Sequence, residues 1–209
     1  VQQRPTRVFL ARHGQTVANV EGRFCGWSET RLTKLGREQA RALGRRLAPV
    51  EFDACYTSDL SRAVETARLA LGERSLRPIP RADLREIHYG GWELEREAEV
   101  RLRDPDRFAL MEAEDPAWQP PSGENVGLVR ARTFAALEGI VGAHLGGSVL
   151  VIGHGTALNC LLSVVLGFPE SHVFRFEVGH CALFELEAKD DGRLTVVRMN
   201  EAAHLAGLG

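Results

Sequence analysis

Short apolar or β-branched runs alternate along this chain with longer stretches in which apolar residues return every third or fourth position. The first pattern predicts strands over residues 7–11 (RVFLA), 54–57 (ACYT), 77–80 (RPIP), 148–153 (SVLVIG), 181–187 (CALFELE) and 194–199 (LTVVRM). The second predicts helices. LTKLGREQARALGRRL takes Thr33 as its N-cap and gathers Ala40, Leu43 and Leu47 on one face. SDLSRAVETARLAL starts at Ser58 or Asp59 and repeats Ala63, Ala67, Ala70 and Leu71. ENVGLVRARTFAALEGIVGAHL reads as a long amphipathic helix stopped by Gly146 and Gly147, and GTALNCLLSVVL, almost wholly apolar, as a buried one. Strands alternating with helices in this way predict an α/β fold: a three-layer α/β/α sandwich around a mostly parallel central sheet. The last two strands, joined by KDDGR with its Asp-Gly turn, are expected to pair as an antiparallel hairpin at the sheet's margin.

Residues 92–122 break the rhythm, being charged with helical character at first and proline-rich afterwards. They are expected to form a lid-like excursion over the active site within a single domain spanning residues 1–209. Its Trp92, Phe108, Met111 and Trp118 have two readings: contact with an apolar leaving group, or pins that hold the excursion to the sheet, the second favoured for Trp92.

Composition narrows the function classes. With 209 residues, 44% of them apolar and 26% charged, the chain has the make-up of an ordinary globular protein rather than a disordered or fibrous one. No apolar run approaches the ~20 residues of a membrane span, and VQQRPTRV has no signal-peptide core, so the expected setting is cytoplasmic, without a membrane partner. A formal net charge of −2 with no basic block argues against a nucleic-acid surface. Cys25, Cys55, Cys160 and Cys181 form no CxxC pair, which suggests neither a disulfide framework nor a zinc knuckle. Of the 26 basic residues only Lys34 and Lys189 are lysines, so finding arginine at any one position means little by itself. Its place in the fold must carry the argument.

In an open α/β sheet, ligands bind beyond the carboxyl ends of the strands. The first strand ends in Arg12-His13-Gly14, with Gly14 expected to turn the chain. Arg62 lies in the first turn of the helix after the second strand, Glu86 follows the third, and His154-Gly155 ends the fourth. Singly, each has a plain reading as a solvated or capped residue. Two histidines and a carboxylate could also ligate zinc or iron, but two arginines beside the metal would repel it. The same arginines suit an anion. Both can fork onto phosphate oxygens, and the helix start at Gly155-Thr156 adds backbone N–H groups. A histidine in that positive field stays neutral and nucleophilic, so one histidine can attack phosphorus while the other donates to an equatorial oxygen. Glu86, its pKa raised beside the phosphate, would protonate the departing oxygen. The scheme needs neither a metal nor an organic cofactor.

RHGQTVAN (12–19), EGRFCGWSETRLTKLGREQA (21–40), SDLSRAVETA (58–67), LREIHYGGWE (84–93) and VIGHGTAL (151–158) together, in this order, resemble the histidine phosphatase superfamily over nearly the whole chain. The resemblance implies that His13 is phosphorylated, that Arg12 and Arg62 bind phosphate, that Glu86 is acid and base, that His154 assists, and that Asn19 borders the phosphate. It implies a small-molecule phosphomonoester as partner and leaves the oligomeric state open. His88, His144, His172, His180 and His204 match no motif and are expected to have surface or local structural roles.

Departures from the family's mutase branch point to hydrolysis. YGGWELEREAEVRLRD lacks the lysine and the adjacent arginines with which phosphoglycerate mutases of this family hold their substrate. PPSGENV (120–126) resembles a PxGES-type segment of the phosphatases, with Asn125 in place of Ser. RFCGW (23–27) is also typical of mutases. The resemblance therefore implies a phosphatase first, a cofactor-dependent phosphoglycerate mutase second, and a non-catalytic phosphate-binding scaffold last, because the core residue set is complete.

Overall fold

The computed structural model describes residues 4–189 and 192–208. Six strands form one sheet: β1 (Thr6–Arg12), β2 (Ala54–Ser58), β3 (Pro78–Arg81), β4 (Ser148–Gly153), β5 (Leu183–Ala188) and β6 (Leu194–Glu201). Among the described residues seven α-helices accompany them: α1 (Val17–Val20), α2 (Lys34–Arg46), α3 (Ser61–Leu71), α4 (Glu97–Arg103), α5 (Pro105–Glu112), α6 (Val126–Ala143) and α7 (Gly155–Val165). The strand order is β3-β2-β4-β1-β5-β6; β1 to β4 run parallel, and β5 lies antiparallel to both β1 and β6.

The three layers follow from which residues the central strands bury. β1 and β4 are apolar on both faces, as strands covered by helices on each side must be. Val8, Leu10, Val149 and Val151 face α6 and α7, whereas Phe9, Ala11, Leu150 and Ile152 face α2 and α3. Among the described residues no helix is long and apolar enough to cross a membrane.

Several boundaries differ from the expected ones for local reasons. Thr33 caps α2 by accepting from the Gly36 N–H, as its position implied. The next helix, α3, starts at Ser61 instead of Ser58 or Asp59, because Ser58 closes β2 and the Asp59 carboxylate is held by Arg85 at 2.6 and 2.7 Å. β5 begins at Leu183 because Cys181, with φ of +56°, is in the left-handed region. Asp190 and Asp191 of the expected Asp-Gly turn lie outside the described residues. Gly14 serves packing rather than a turn: a side chain there would collide with the Gly36 carbonyl, and one at Gly36 with the Gln15 carbonyl. The two glycines let the segment after β1 lie directly on the start of α2.

The excursion carries α4 and α5, and its aromatic residues pin it, not to the sheet as expected, but to α6, α7 and the loops around them. Trp92, Phe108 and Trp118 are buried with Phe24, Ile87, Val100 and Val126 in a cluster of their own, and Met111 packs on it. None of these four residues of the excursion lines the pocket described next.

Candidate active site

A cavity of about 550 Å³ opens beyond the carboxyl ends of β1 and β4, with Arg12, His13, Glu86, Gly155 and Thr156 at its inner end. His13 and His154 meet there with ring centroids 5.1 Å apart, each supplied by the first residue after a parallel strand. The His13 Nδ1–H donates to the Gly14 carbonyl at 2.7 Å. A carbonyl can only accept, so in the neutral ring the free lone pair resides on Nε2. Burial first, then the Arg62 and Arg12 guanidiniums, holds the pKa of His13 well below the usual histidine range. Burial and Arg62 do the same to His154.

His154 is completely buried, yet neither ring nitrogen has a partner, and Arg12 Nε is also buried without one. Unmade hydrogen bonds in a closed interior are costly. Three such atoms lie together at the inner end, those of His154 just behind the pocket wall, and all three suit an oxygen-bearing ligand. Gly155 makes room for this arrangement, since a Cβ there would press on the Arg12 guanidinium at 3.3 Å. Arg12 Nη1 is anchored by donating to the Val178 carbonyl at 2.9 Å, and burial draws its pKa down from the usual arginine value.

Arg62, expected to fork onto the ligand, uses part of its guanidinium on the protein itself. It stands behind the histidines and donates to the carbonyls of Cys25 (3.3 Å), Gly26 (2.5 Å) and Ser28 (3.0 Å). Three of its five N–H donors are thereby committed to the protein, and its positive charge still bears on both rings. The opposite side of the same loop is held by Glu93, which accepts from the N–H groups of Gly26, Trp27, Ser28 and Tyr89 at 2.9–3.1 Å. Burial alone would raise the Glu93 pKa; these donors outweigh it and keep the carboxyl below the usual range.

Glu86 corrects a second expectation. The start of α7 was expected to present its amides to a phosphate, but the Thr156 N–H donates to Glu86 Oε2 at 3.0 Å and the Ala157 N–H to Oε1 at 2.9 Å. Ile87 N–H adds a third bond at 2.8 Å. The helix end therefore positions the carboxylate. Three of about four lone-pair directions are filled, which leaves one toward the pocket. Asn19 lines the cavity while its Oδ1 accepts from the Thr16 N–H and hydroxyl, closing a capping box on α1.

His180, expected to have a surface or local structural role, packs against His13. Its ring lies 5.8 Å from that of His13, its Nδ1 faces the His13 carbonyl at 3.4 Å, and burial followed by Arg12 brings its pKa down to about 4. β5 is antiparallel, so its amino end sits beside the carboxyl end of β1, an edge that a search of strand carboxyl ends overlooks. Among the residues lining the pocket, sequence reasoning missed Asn159, although its spacing of four from Gly155 puts both on one face of α7. Tyr89, Glu97, Phe174 and Phe176 reach the pocket from loops and a short helix with no periodic signal. The other histidines do have local roles: His144 bonds the Tyr56 hydroxyl, His88 packs on Trp27, His172 bonds Ser171 and His204 bonds the Cys181 carbonyl. Among the described residues no group of three or more His, Cys, Asp or Glu is arranged to hold a metal ion.

Comparison with known proteins agrees with this geometry. Residues 8–202 match the family described as histidine phosphatase superfamily (branch 1). The chain is 31% identical over 175 residues to an adenosylcobalamin/alpha-ribazole phosphatase of Escherichia coli, covering 82% of this chain and 85% of that protein. It is 30% identical over 197 residues to a 2,3-bisphosphoglycerate-dependent phosphoglycerate mutase 2 of Gloeobacter violaceus, covering 92% and 90%. The structure of YhfR from Bacillus stearothermophilus superposes with a TM-score of 0.92 at 35% identity, covering 96% of this chain and 99% of that one.

Proposed function

Because the chain belongs to the histidine phosphatase superfamily, we propose that it is a metal-independent phosphomonoester hydrolase working through a phosphohistidine on His13. The relatives include both phosphatases and phosphoglycerate mutases, so the family leaves the fate of the phosphoryl group open. The observation that carries the reading is the inner end of the pocket: a neutral His13 with its Nε2 lone pair available, beside the unpartnered nitrogens of His154 and Arg12.

In the first step the His13 Nε2 lone pair attacks phosphorus and the bond to the ester oxygen breaks, its electron pair leaving with that oxygen. The leaving oxygen takes a proton from Glu86, carried on the carboxylate position that its three N–H donors leave open. Arg12, the remaining donors of Arg62, and His154 as a neutral N–H donor take up the charge on the phosphoryl oxygens. In the second step water attacks phosphorus, the P–N bond breaks back to His13, and Glu86 accepts the proton that water gives up. Inorganic phosphate leaves. Nothing in this sequence calls for the thiols; burial raises the pKa of Cys55 and Cys181 to about 12.

The test pairs a chemical trap with a product assay. Rapid acid-free quenching during turnover of an alkyl phosphate, followed by peptide mass spectrometry, is expected to find an alkali-stable, acid-labile phosphate on the peptide containing His13. Inorganic phosphate should appear with metal chelator present. Phosphate on a serine, threonine or cysteine overturns the mechanism. Primer-dependent interconversion of phosphoglycerates with negligible phosphate release gives the enzyme to the mutase branch instead, and no turnover of any kind supports a scaffold.

A further inference from the structure

Outside the phosphate end, the pocket wall is rich in hydrogen-bond acceptors. Asn159 is only 8% exposed; its Nδ2 donates to the Gly155 carbonyl at 3.2 Å, and its Oδ1 has no partner. Because a carbonyl faces the Nδ2 position, the amide cannot be reversed without losing that bond, so the oxygen is the atom left unsatisfied. Glu97 and Glu177 stand on the same wall, exposed, and neither forms an ion pair among the described residues. The one lining cation away from the phosphate end, among the described residues, is Arg23. Its charge already has a counter-ion: its Nε donates to Glu21 at 2.6 Å, and its Nη1 donates to the Leu94 carbonyl at 2.8 Å. Phe174 and Phe176 complete the wall with apolar surface.

Resting on the phosphohydrolase reading above, we infer that this outer wall selects leaving-group alcohols that donate hydrogen bonds and carry no negative charge, such as polyols or amino alcohols, and rejects those bearing a carboxylate. A hydroxyl or ammonium group satisfies Asn159 Oδ1, whereas a carboxylate confronts it with another acceptor. A carboxylate also adds a negative charge to a space already shared by the phosphate, Glu97 and Glu177. The wall's one guanidinium away from the phosphate end, among the described residues, already has Glu21 as its counter-ion. Specificity of this kind comes from the repulsive element as much as from the attractive one.

A matched pair of substrates isolates the effect. Glycerol 3-phosphate and 3-phosphoglycerate share one carbon frame and one phosphoryl position, and differ by a hydroxymethyl in place of a carboxylate. The value of kcat/KM is expected to favour glycerol 3-phosphate by about tenfold or more at low salt, with the preference shrinking as ionic strength rises. The double substitution Glu97→Gln with Glu177→Gln should narrow the ratio several-fold, to within about threefold of unity. Propyl phosphate, which lacks the donors, should be roughly tenfold poorer than glycerol 3-phosphate, and Asn159→Leu should erase much of that difference. If Asn159→Leu does not fold, the comparison of propyl and glycerol phosphates in the unmodified enzyme carries this arm alone. Equal or better use of 3-phosphoglycerate, a ratio indifferent to the two Gln substitutions, or propyl phosphate matching glycerol 3-phosphate each overturns the inference. Hydrolysis of p-nitrophenyl phosphate with neither glycerol 3-phosphate nor propyl phosphate turned over sinks this inference but leaves the hydrolase reading standing. Failure on every ester removes both.

Discussion

Around the inner end of the pocket lie buried side chains that follow the parallel strands: His13, His154, Arg62 and Glu86 are each at most 7% exposed, and Arg62 and Glu86 are tied to backbone groups of distant segments. At its outer end Glu97, Phe174 and Glu177 are exposed and come from a short helix and a loop. In the proposed reaction the chemistry rests on the first set and the choice of alcohol on the second. Buried groups locked by several bonds hold the tolerances that phosphoryl transfer needs. Exposed ones can be exchanged with little effect on folding, which is how one scaffold comes to serve many substrates.

The largest expected effect breaks the inner end. His13→Asn should lower kcat/KM by at least about 10⁴-fold, since no other group stands ready to become the covalent carrier. Residual activity within tenfold of the unmodified enzyme would mean that His13 is not the nucleophile. Glu86→Gln comes next and separates the carboxylate's proton from its shape. It should cost ~10²–10⁴-fold in kcat/KM for alkyl phosphates and much less for p-nitrophenyl phosphate, whose leaving group hardly needs a proton. Equal losses for the two esters would reduce Glu86 to a structural or purely electrostatic part.

Two smaller effects concern stability. Trp92→Ala removes a fully buried pin of the excursion and should cost about 3–5 kcal/mol, read as a lower urea midpoint. An unmoved midpoint would contradict the anchoring described here. The histidines give a pH dependence whose sign is fixed. Their folded-state pKa values are depressed below the ordinary 6.5. Below that value the unfolded chain binds more protons than the folded one, so stability falls as pH drops from about 6.5 toward the folded values, about 4 for His180. The urea midpoint should therefore be lower at pH 5 than at pH 7, and His154→Asn should flatten the slope. A midpoint rising toward pH 5 would show that the rings are not held neutral.

The sequence by itself determined the layers and the inner residues. Apolar runs on both faces mark β1 and β4 as central, alternation with helices makes the sheet mostly parallel, and the ends of parallel strands are where Arg12, His13, Glu86 and His154 had to be sought. Those signals are periodic or lie at fixed offsets from periodic segments, so they can be read along the chain. Only the tertiary structure decided that α7 gives the amides of Thr156 and Ala157 to Glu86, that Arg62 and Glu93 grip one loop, and that His180 arrives beside His13 from the segment leading into β5. It also decided that Asn159 keeps an acceptor unpaired and that Arg23 pairs with Glu21. Each of these depends on which atoms of segments far apart in the chain come within about 3 Å, a distance over which hydrogen bonds form or fail. Hydrophobic periodicity specifies which face of an element is buried and carries no information at that resolution.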